Sequence, residues 1–287
     1  MTDDPQAETA ADGRHGPYES MTVEVVDRIA EVTLTGPGRG NAMGPEFWSE
    51  CPQVFAALDA DPDVRAVVLT GSGDHFTYGL DLQSMAPRLA PVLSPGAQAK
   101  ERTEFHDLIL GMQEAANAVA RCRKPVIAAV AGWCIGGGVD VVTAADFRYA
   151  AADAKFSIRE VKVGMVADMG TLARLSGIVG EGHTRELALT GKDIDAARAE
   201  RIGLVNDVLD DRDATLAAAR AAAREIAGNP PLVVHGIKSV LDHTRSAQVD
   251  ASLRYVAAWN AAFLPSKDIG EAMAAIFEKR KPDFQGH

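Results

Sequence analysis

Two short apolar runs, Arg65–Thr70 (RAVVLT) and Pro125–Val130 (PVIAAV), each lead into a stretch rich in glycine, and few folds accommodate that pairing. Runs of this length without polar alternation read as buried strands. The segments between them have another period. Pro45 suits the first turn of a helix whose apolar face is Phe47, Cys51, Val54, Phe55 and Leu58. Phe105, Leu108, Ile109, Met112, Ala116 and Val119 fall at helical spacing within a long helix of about 100–121. Thr22–Val26 and Ile29–Thr35 are β-rich and separated only by Asp27-Arg28, which predicts a hairpin. Gly36–Asn41 reads as a turn, and a further helix is expected from near Gly137 to about Ala145. Short strands follow around Phe147–Tyr149 and Lys155–Ile158. Strands alternating with helices predict an α/β core with covered sheet faces.

Beyond about Asp211 only helical periodicity remains, over Ala214–Ala227, Leu232–Thr244, Ala251–Leu264 and Ile269–Glu278. The expected organisation is a flexible acidic tail over 1–20, a core over 21–210, and a helical region over 211–287 suited to packing or oligomerisation. Apolar residues at 47% and charged residues at 24% exclude a mainly disordered chain. The net charge of −11 disfavours broad nucleic-acid binding. No apolar run approaches the roughly 20 residues of a membrane span. The amino terminus is acidic, without the apolar stretch of a secretory leader. Three cysteines (Cys51, Cys122, Cys134) without CxxC spacing read as free thiols, so a cytoplasmic protein is expected.

The chemistry concentrates in two loops and three acids. Phe76–Leu82 and Cys134–Asp140 carry Gly79 and the triple glycine 136–138. Loop-to-helix junctions leave backbone N–H groups without intrahelical partners, and aimed at one point from two sides these stabilise an oxyanion. The same glycines would also serve tight turns and close helix–sheet packing. Asp140, Glu160 and Asp168 lie among apolar neighbours, where a carboxyl group shifts towards neutral and suits proton transfer. Each also has a plain structural role open to it. Asp140 could complement its own helix, Glu160 could pair with Arg159 or Lys162 on an exposed edge, and Asp168 could cap a helix starting near Gly170-Thr171. The seven histidines show no metal-ligand spacing, and the GxGxxG, GxSxG and P-loop patterns are absent.

Taken together, these loops and acids resemble the crotonase (enoyl-CoA hydratase/isomerase) superfamily over about Met21–Phe284. Three segments resemble its Δ3,5-Δ2,4-dienoyl-CoA isomerases more closely: Phe76-Thr-Tyr-Gly-Leu-Asp-Leu82, Cys134-Ile-Gly-Gly-Gly-Val-Asp140 and Glu160-Val-Lys-Val-Gly-Met-Val-Ala-Asp-Met-Gly-Thr171. Asp168 discriminates, because simple hydratases usually carry glycine or another non-acidic residue there. Lys162, where that subfamily tends to have an acid, and Tyr78, bulkier than its usual small residue, are departures. They are expected to alter the pKa of Glu160 and to narrow the mouth of the site.

The resemblance implies a spiral of repeated ββα units, with C-terminal helices supporting trimers that pair into hexamers. It implies an oxyanion hole from the N–H groups of Leu80 and Gly137, and catalytic Asp140, Glu160 and Asp168. CoA would lie around Asn41, Ala42, Gly79, Asp81 and Leu82, with Lys279 reaching the CoA of this or a neighbouring subunit. The implied reaction moves the double bonds of a 3,5-dienoyl-CoA to the 2,4 positions in fatty acid β-oxidation. It needs no metal or redox cofactor, since CoA is part of the substrate. Two alternatives stand beside it: an enoyl-CoA hydratase in which Asp140 and Glu160 activate water, and a non-catalytic or RNA-binding homologue, against which the −11 charge counts.

Overall fold

A computed structural model describes residues 15–36, 39–94 and 96–287. Most of the expected tail, residues 1–14, and part of the expected Gly36–Asn41 turn lie outside them. Of the tail's last residues, His15 and Ser20 are buried, His15 through a 2.9 Å contact to Asp61 and Ser20 through hydrogen bonds to Glu50. Strands β1 (Met21–Val26) and β2 (Ile29–Leu34) form the expected antiparallel hairpin. Asp27 and Arg28 both take positive φ (51° and 68°), as a two-residue turn matched to strand twist requires.

Helix α1 (Pro45–Ala60) opens on Pro45 and buries all five residues of its anticipated face. Then come β3 (Ala66–Gly71), α2 (Leu82–Leu93), α3 (Ala99–Arg121), β4 (Val126–Val130), β5 (Trp133–Ile135), α4 (Gly137–Ala144), β6 (Phe147–Ala151) and β7 (Lys155–Ser157). A 3-10 turn, Glu160–Val163, leads to α5 (Thr171–Arg174), α6 (Ser176–Val179), α7 (Glu181–Thr190), β8 (Asp193–Asp195), α8 (Ala196–Arg201) and β9 (Asp207–Leu209). The chain closes on α9 (Arg212–Ala227), α10 (Pro231–Phe263) and α11 (Lys267–Glu278).

Six strands form one sheet in the order β1-β2-β3-β4-β6-β9, parallel apart from the hairpin. A second sheet runs β5-β7-β8. Successive turns of chain give one strand to each sheet. After β4 comes β5, after β6 comes β7, and after β3 the single residue Thr77 bridges Cys134 of β5, which in turn pairs with Phe156 of β7. This is the spiral repeat.

The apolar strands are explained by cover on both faces. Val67, Leu69, Val126, Ala128 and Val130 point into the main core, whereas Ala66, Val68, Ile127 and Ala129 face a second cluster. Ala219, Ala223 and Ala227 of α9, one turn apart, supply that cluster's other half. Small side chains let helix and sheet approach closely. So α9, the first helix of the region over 211–287, packs onto the main sheet.

Helices α6, α7 and α8 fall where no element was expected from the sequence, and α2 and α10 depart from expectation in instructive ways. Helix α2 was not anticipated because Pro87 and Pro91 interrupt its sequence, yet Asp81 caps it by accepting from Gln83 N and Ser84 N. Helix α10 runs unbroken for 33 residues where two helices were expected. Its middle, Arg245–Asp250, contains no proline or glycine to stop it, and the apolar period fades there only because that stretch is largely exposed. Among the described residues no helix is long and apolar enough to cross a membrane.

Ala223 is fully buried, so Ala223→Leu should overpack the contact between α9 and the sheet and cost about 1–3 kcal/mol. A urea titration checks this: the midpoint should fall at unchanged slope. An unchanged midpoint would show that α9 packs loosely.

Candidate active site

The site forms where the loop after β3 meets the start of α4. Met43 and Leu80 pair as an isolated parallel bridge, in which Met43 N donates to Gly79 O (2.8 Å) and Asp81 N donates to Met43 O (3.0 Å). Both bonds belong to Leu80's neighbours, and among the described residues no carbonyl accepts the Leu80 N–H itself. Gly137 is the first residue of α4, so its N–H has no intrahelical acceptor. The two groups are neighbours. Gly79 (φ 79°) packs so closely that a Cβ there would lie 2.5 Å from Ile135 O and 3.2 Å from Gly137 N. Gly136 (φ 53°) makes the sharp entry into α4, and a Cβ on it would lie 3.2 Å from Glu160 Oε1. A carboxylate therefore stands beside the paired N–H groups.

Asp140 sits one turn into α4, buried, and its Oδ1 accepts from Thr171 N at 2.6 Å. It thus accepts the first N–H of α5 while standing in the first turn of its own helix. Burial pushes its pKa up to about 6 against the opposing Thr171 bonds and the charge of Arg174. Glu160 opens the 3-10 turn and does not pair with Arg159, which forms a two-pronged bond to Asp193. Its Oε2 is buried without a partner. Burial, then the charges of Asp140 and Asp168, push it up to about 8. Asp168 is not a helix cap either, since Gly170 holds the N-cap position of α5. Its Oδ2 accepts from Asn260 Nδ2 at 2.6 Å. Burial pushes it up to about 7, opposed by Asn260 and assisted by Asp140. Glu160 and Asp168 retain some accessible surface whereas Asp140 is sealed. The arrangement can hold an oxyanion beside one acid and exchange protons with another near neutral pH.

Other anticipated residues take different places. The Asn41 amide donates to the carbonyls of Ser72, His75 and Phe76 and its Oδ1 accepts from Ser72 Oγ, so its side chain shapes the loop. Ala42, Gly79 and Leu82 lie along the same loop pair, and the Asp81 carboxylate is occupied in capping α2. Tyr78 stacks over Gly40, where a Cβ would fall 2.3 Å from its ring, and beside His75. Lys162 does not act on Glu160 as expected: its stem runs along Gly191 and its charge stabilises the Asp193 carboxylate. Lys279 ends α11, exposed. That helix meets the Glu160 segment only near Ile269, about 15 Å away along its axis.

A supporting layer that the sequence motifs do not reveal surrounds these acids. Gln113 Nε2 donates to Asp168 O (2.7 Å) and Leu253 O (3.1 Å), fixing the acid's backbone to α3 and α10. Arg174 donates to Asn117 Oδ1 at 2.7 Å, and its Nη1 is buried without a partner. Burial lowers its pKa while Asp140 counters. The available signal was a lone amide, Asn260, in the otherwise apolar run Val256–Phe263. A largely apolar cavity of about 650 Å³ opens between Val166, Ala167 and Gly170 on one side and Leu253, Val256 and Trp259 of α10 on the other.

Residues 24–287 match the family model described as enoyl-CoA hydratase/isomerase. A mitochondrial Δ3,5-Δ2,4-dienoyl-CoA isomerase of Dictyostelium discoideum is 44% identical over 270 residues, covering 93% of this chain and 92% of that protein. A peroxisomal one of Arabidopsis thaliana is 40% identical, covering 92% of this chain and 96% of its own length. Among solved structures, an enoyl-CoA hydratase/isomerase from Pseudoalteromonas atlantica superposes with a TM-score of 0.80 at 27% identity, covering 93% of this chain and 100% of that one. The relatives' compartments overturn the expectation of a cytoplasmic protein. Free thiols and an acidic amino terminus do not distinguish the cytoplasm from the interior of an organelle. Matching sequence, fold and paired N–H loops agree: the chain belongs to the enoyl-CoA hydratase/isomerase family.

Proposed function

We propose that the protein is an isomerase converting 3,5-dienoyl-CoA to 2,4-dienoyl-CoA in fatty acid β-oxidation. The observation that carries this reading is the pair of carboxyl groups on different segments, Glu160 beside the N–H pair and Asp168 on the following loop, both titrating near neutrality. The thioester oxygen accepts from Leu80 N and Gly137 N, which acidifies C2. Glu160 takes the C2 proton, and the freed pair forms C2=C3. The C3=C4 pair moves to C4=C5, and the C5=C6 pair takes a proton at C6 from Asp168. One proton is gained by Glu160 and one lost by Asp168, so the substrate is isomerised without redox change and the step calls for no metal or redox cofactor. Asp140 tunes both acids by its charge. CoA lies along Asn41, Ala42, Gly79, Asp81 and Leu82, with Lys279 contributed by this or a neighbouring copy. The acyl chain beyond C6 enters the cavity beside Asp168.

Assembly belongs to the same reading. Helix α10 exposes Leu232, Val233, Val240, Leu241, Tyr255 and Phe263, the kind of apolar surface that marks contact with another chain. We infer a trimer built on α10 and α11, with trimers pairing into a hexamer. Light scattering should give the mass of three or six chains, and Val240→Asp with Leu241→Asp should shift it downward. A monodisperse full-length monomer would refute the assembly.

The reaction needs Glu160 ionised while Asp168 is protonated, the minor arrangement of the singly protonated pair, because Glu160, at about 8, holds the shared proton more tightly than Asp168, at about 7. Below about 7 the cluster takes up a further proton and Glu160 loses its base form. Above about 8 it gives up its last proton and Asp168 cannot donate. The pH–rate profile should therefore be a narrow bell between those values. Asp140→Asn removes a charge that raises both acids, so the bell should move to lower pH. A profile flat from 6 to 9 would remove these groups from the rate-limiting step.

The decisive variant is Asp168→Asn. Dienoyl isomerisation, followed by absorbance of the extended conjugated product, should fall by about a hundredfold to ten thousandfold. Exchange of the C2 proton in deuterated water should persist, because Glu160 still serves that carbon. Glu160→Gln should lose both. If a folded Asp168→Asn protein keeps its dienoyl turnover and the wild type adds water to a 2-enoyl-CoA, the protein is a hydratase.

A further inference from the structure

Asn260 reaches the site from α10, remote in sequence from every acid it serves. Its amide nitrogen donates twice, to Val166 O at 2.9 Å and to Asp168 Oδ2 at 2.6 Å. A backbone carbonyl can only accept, so the Val166 bond fixes which end of the amide is nitrogen. With both amide hydrogens used, Asp168 Oδ2 is held as an acceptor. The proton of the neutral carboxyl group then resides on Oδ1. Gln113 grips the same residue through its carbonyl, at 2.7 Å, so backbone and side chain of Asp168 are anchored from two helices. Asn260 is itself buried, which keeps water from replacing it.

We propose that Asn260 is a positioning residue for the reaction assigned above: it locks the Asp168 carboxyl so that Oδ1 alone carries the transferable proton. An unlocked carboxyl would rotate and present either oxygen, and misplacement of an ångström costs about a hundredfold in rate. Asn260 also sets the acid's strength. A donor to the carboxylate favours its ionised form, so removal of the donor should make Asp168 a weaker acid. The other groups acting on Asp168 are its own backbone N–H and the charge of Asp140, while Glu160 and Asp168 repel each other when ionised. Among the described side chains, the Asn260 amide is the donor within hydrogen-bond distance of Oδ2.

The test is Asn260→Leu, close in shape but without a donor, with Asn260→Ala as a second variant that demands less of the packing. Dienoyl isomerisation at the optimum should fall by about tenfold to a hundredfold. The optimum should move to higher pH, because Asp168 holds its proton longer. Exchange of the C2 proton in deuterated water should continue at the wild-type rate, which reports that the fold and Glu160 are intact. Added to Asp168→Asn, either variant should cause no further loss of isomerisation. Unchanged rate and optimum in both variants would overturn the proposal. So would equal loss of isomerisation and C2 exchange, which would make Asn260 merely structural. The assignment of Asp168 fails separately: that requires Asp168→Asn to remain active, whereas an inert Asp168→Asn beside a wild-type-like Asn260→Leu sinks only the role of Asn260.

Discussion

The 2.6 Å bond from Thr171 N to Asp140 Oδ1 joins the two halves of the site. Asp140 belongs to α4, the helix whose first residue offers the Gly137 N–H. Thr171 begins α5, directly after the loop that carries Asp168. One carboxylate thus ties the start of α4 to the segment that carries Asp168, and its charge raises both Glu160 and Asp168. The capping bond and the charge of Arg174 favour ionised Asp140, and that charge in turn keeps protons on its neighbours. A cap that would be routine at a surface sets the protonation of the whole cluster when buried.

That cluster is costly to fold. All three acids have folded pKa values above those of ordinary carboxyl groups, so the folded state binds their protons more tightly than the unfolded chain. Stability from this source is present below about pH 4 and is lost as pH rises through about 6, 7 and 8. Near neutrality the site therefore works against the fold. The sheet supplies the compensation, because β3 and β4 are covered by apolar side chains on both faces. The candidate groups sit on segments that leave β3, β5 and β7, with backbone fixed by bridges such as Met43–Leu80 and Thr77–Cys134.

Much of this was legible along the chain because the signals were local. The hairpin around Asp27-Arg28, the buried face of α1 and the apolar strands follow from periodicity and turn chemistry within a few residues. The acids were visible as charges among apolar neighbours. What each one bonds to was not. Asp168 looked like a cap and Asp140 proved to be one, since the choice depended on where α5 lies relative to α4. Helix α2 was hidden by Pro87 and Pro91, whose missing N–H groups argue against a helix that the Asp81 cap nonetheless begins. The expected effect of Lys162 failed for a similar reason: adjacency in sequence said nothing about its direction, which is towards Gly191.

Helix α10 both reaches Asp168 and carries exposed apolar side chains. One part of its surface holds Asn260 against Asp168 and lines the cavity with Leu253, Val256 and Trp259. Elsewhere it displays Leu232, Val240 and Phe263 to solvent. Within one chain its packing rests chiefly on α3 and α5, and residues 239–248 have little cover. A helix held on so little of its length would fray in water, and fraying would release the amide that orients the acid. Cover from neighbouring copies would suppress that motion and stiffen the proton donor without any neighbour touching the substrate. If copies pack there, as proposed, the rigidity of α10 would link assembly to rate, a physical reason for apolar residues to persist along the exposed surface of a helix that also reaches Asp168.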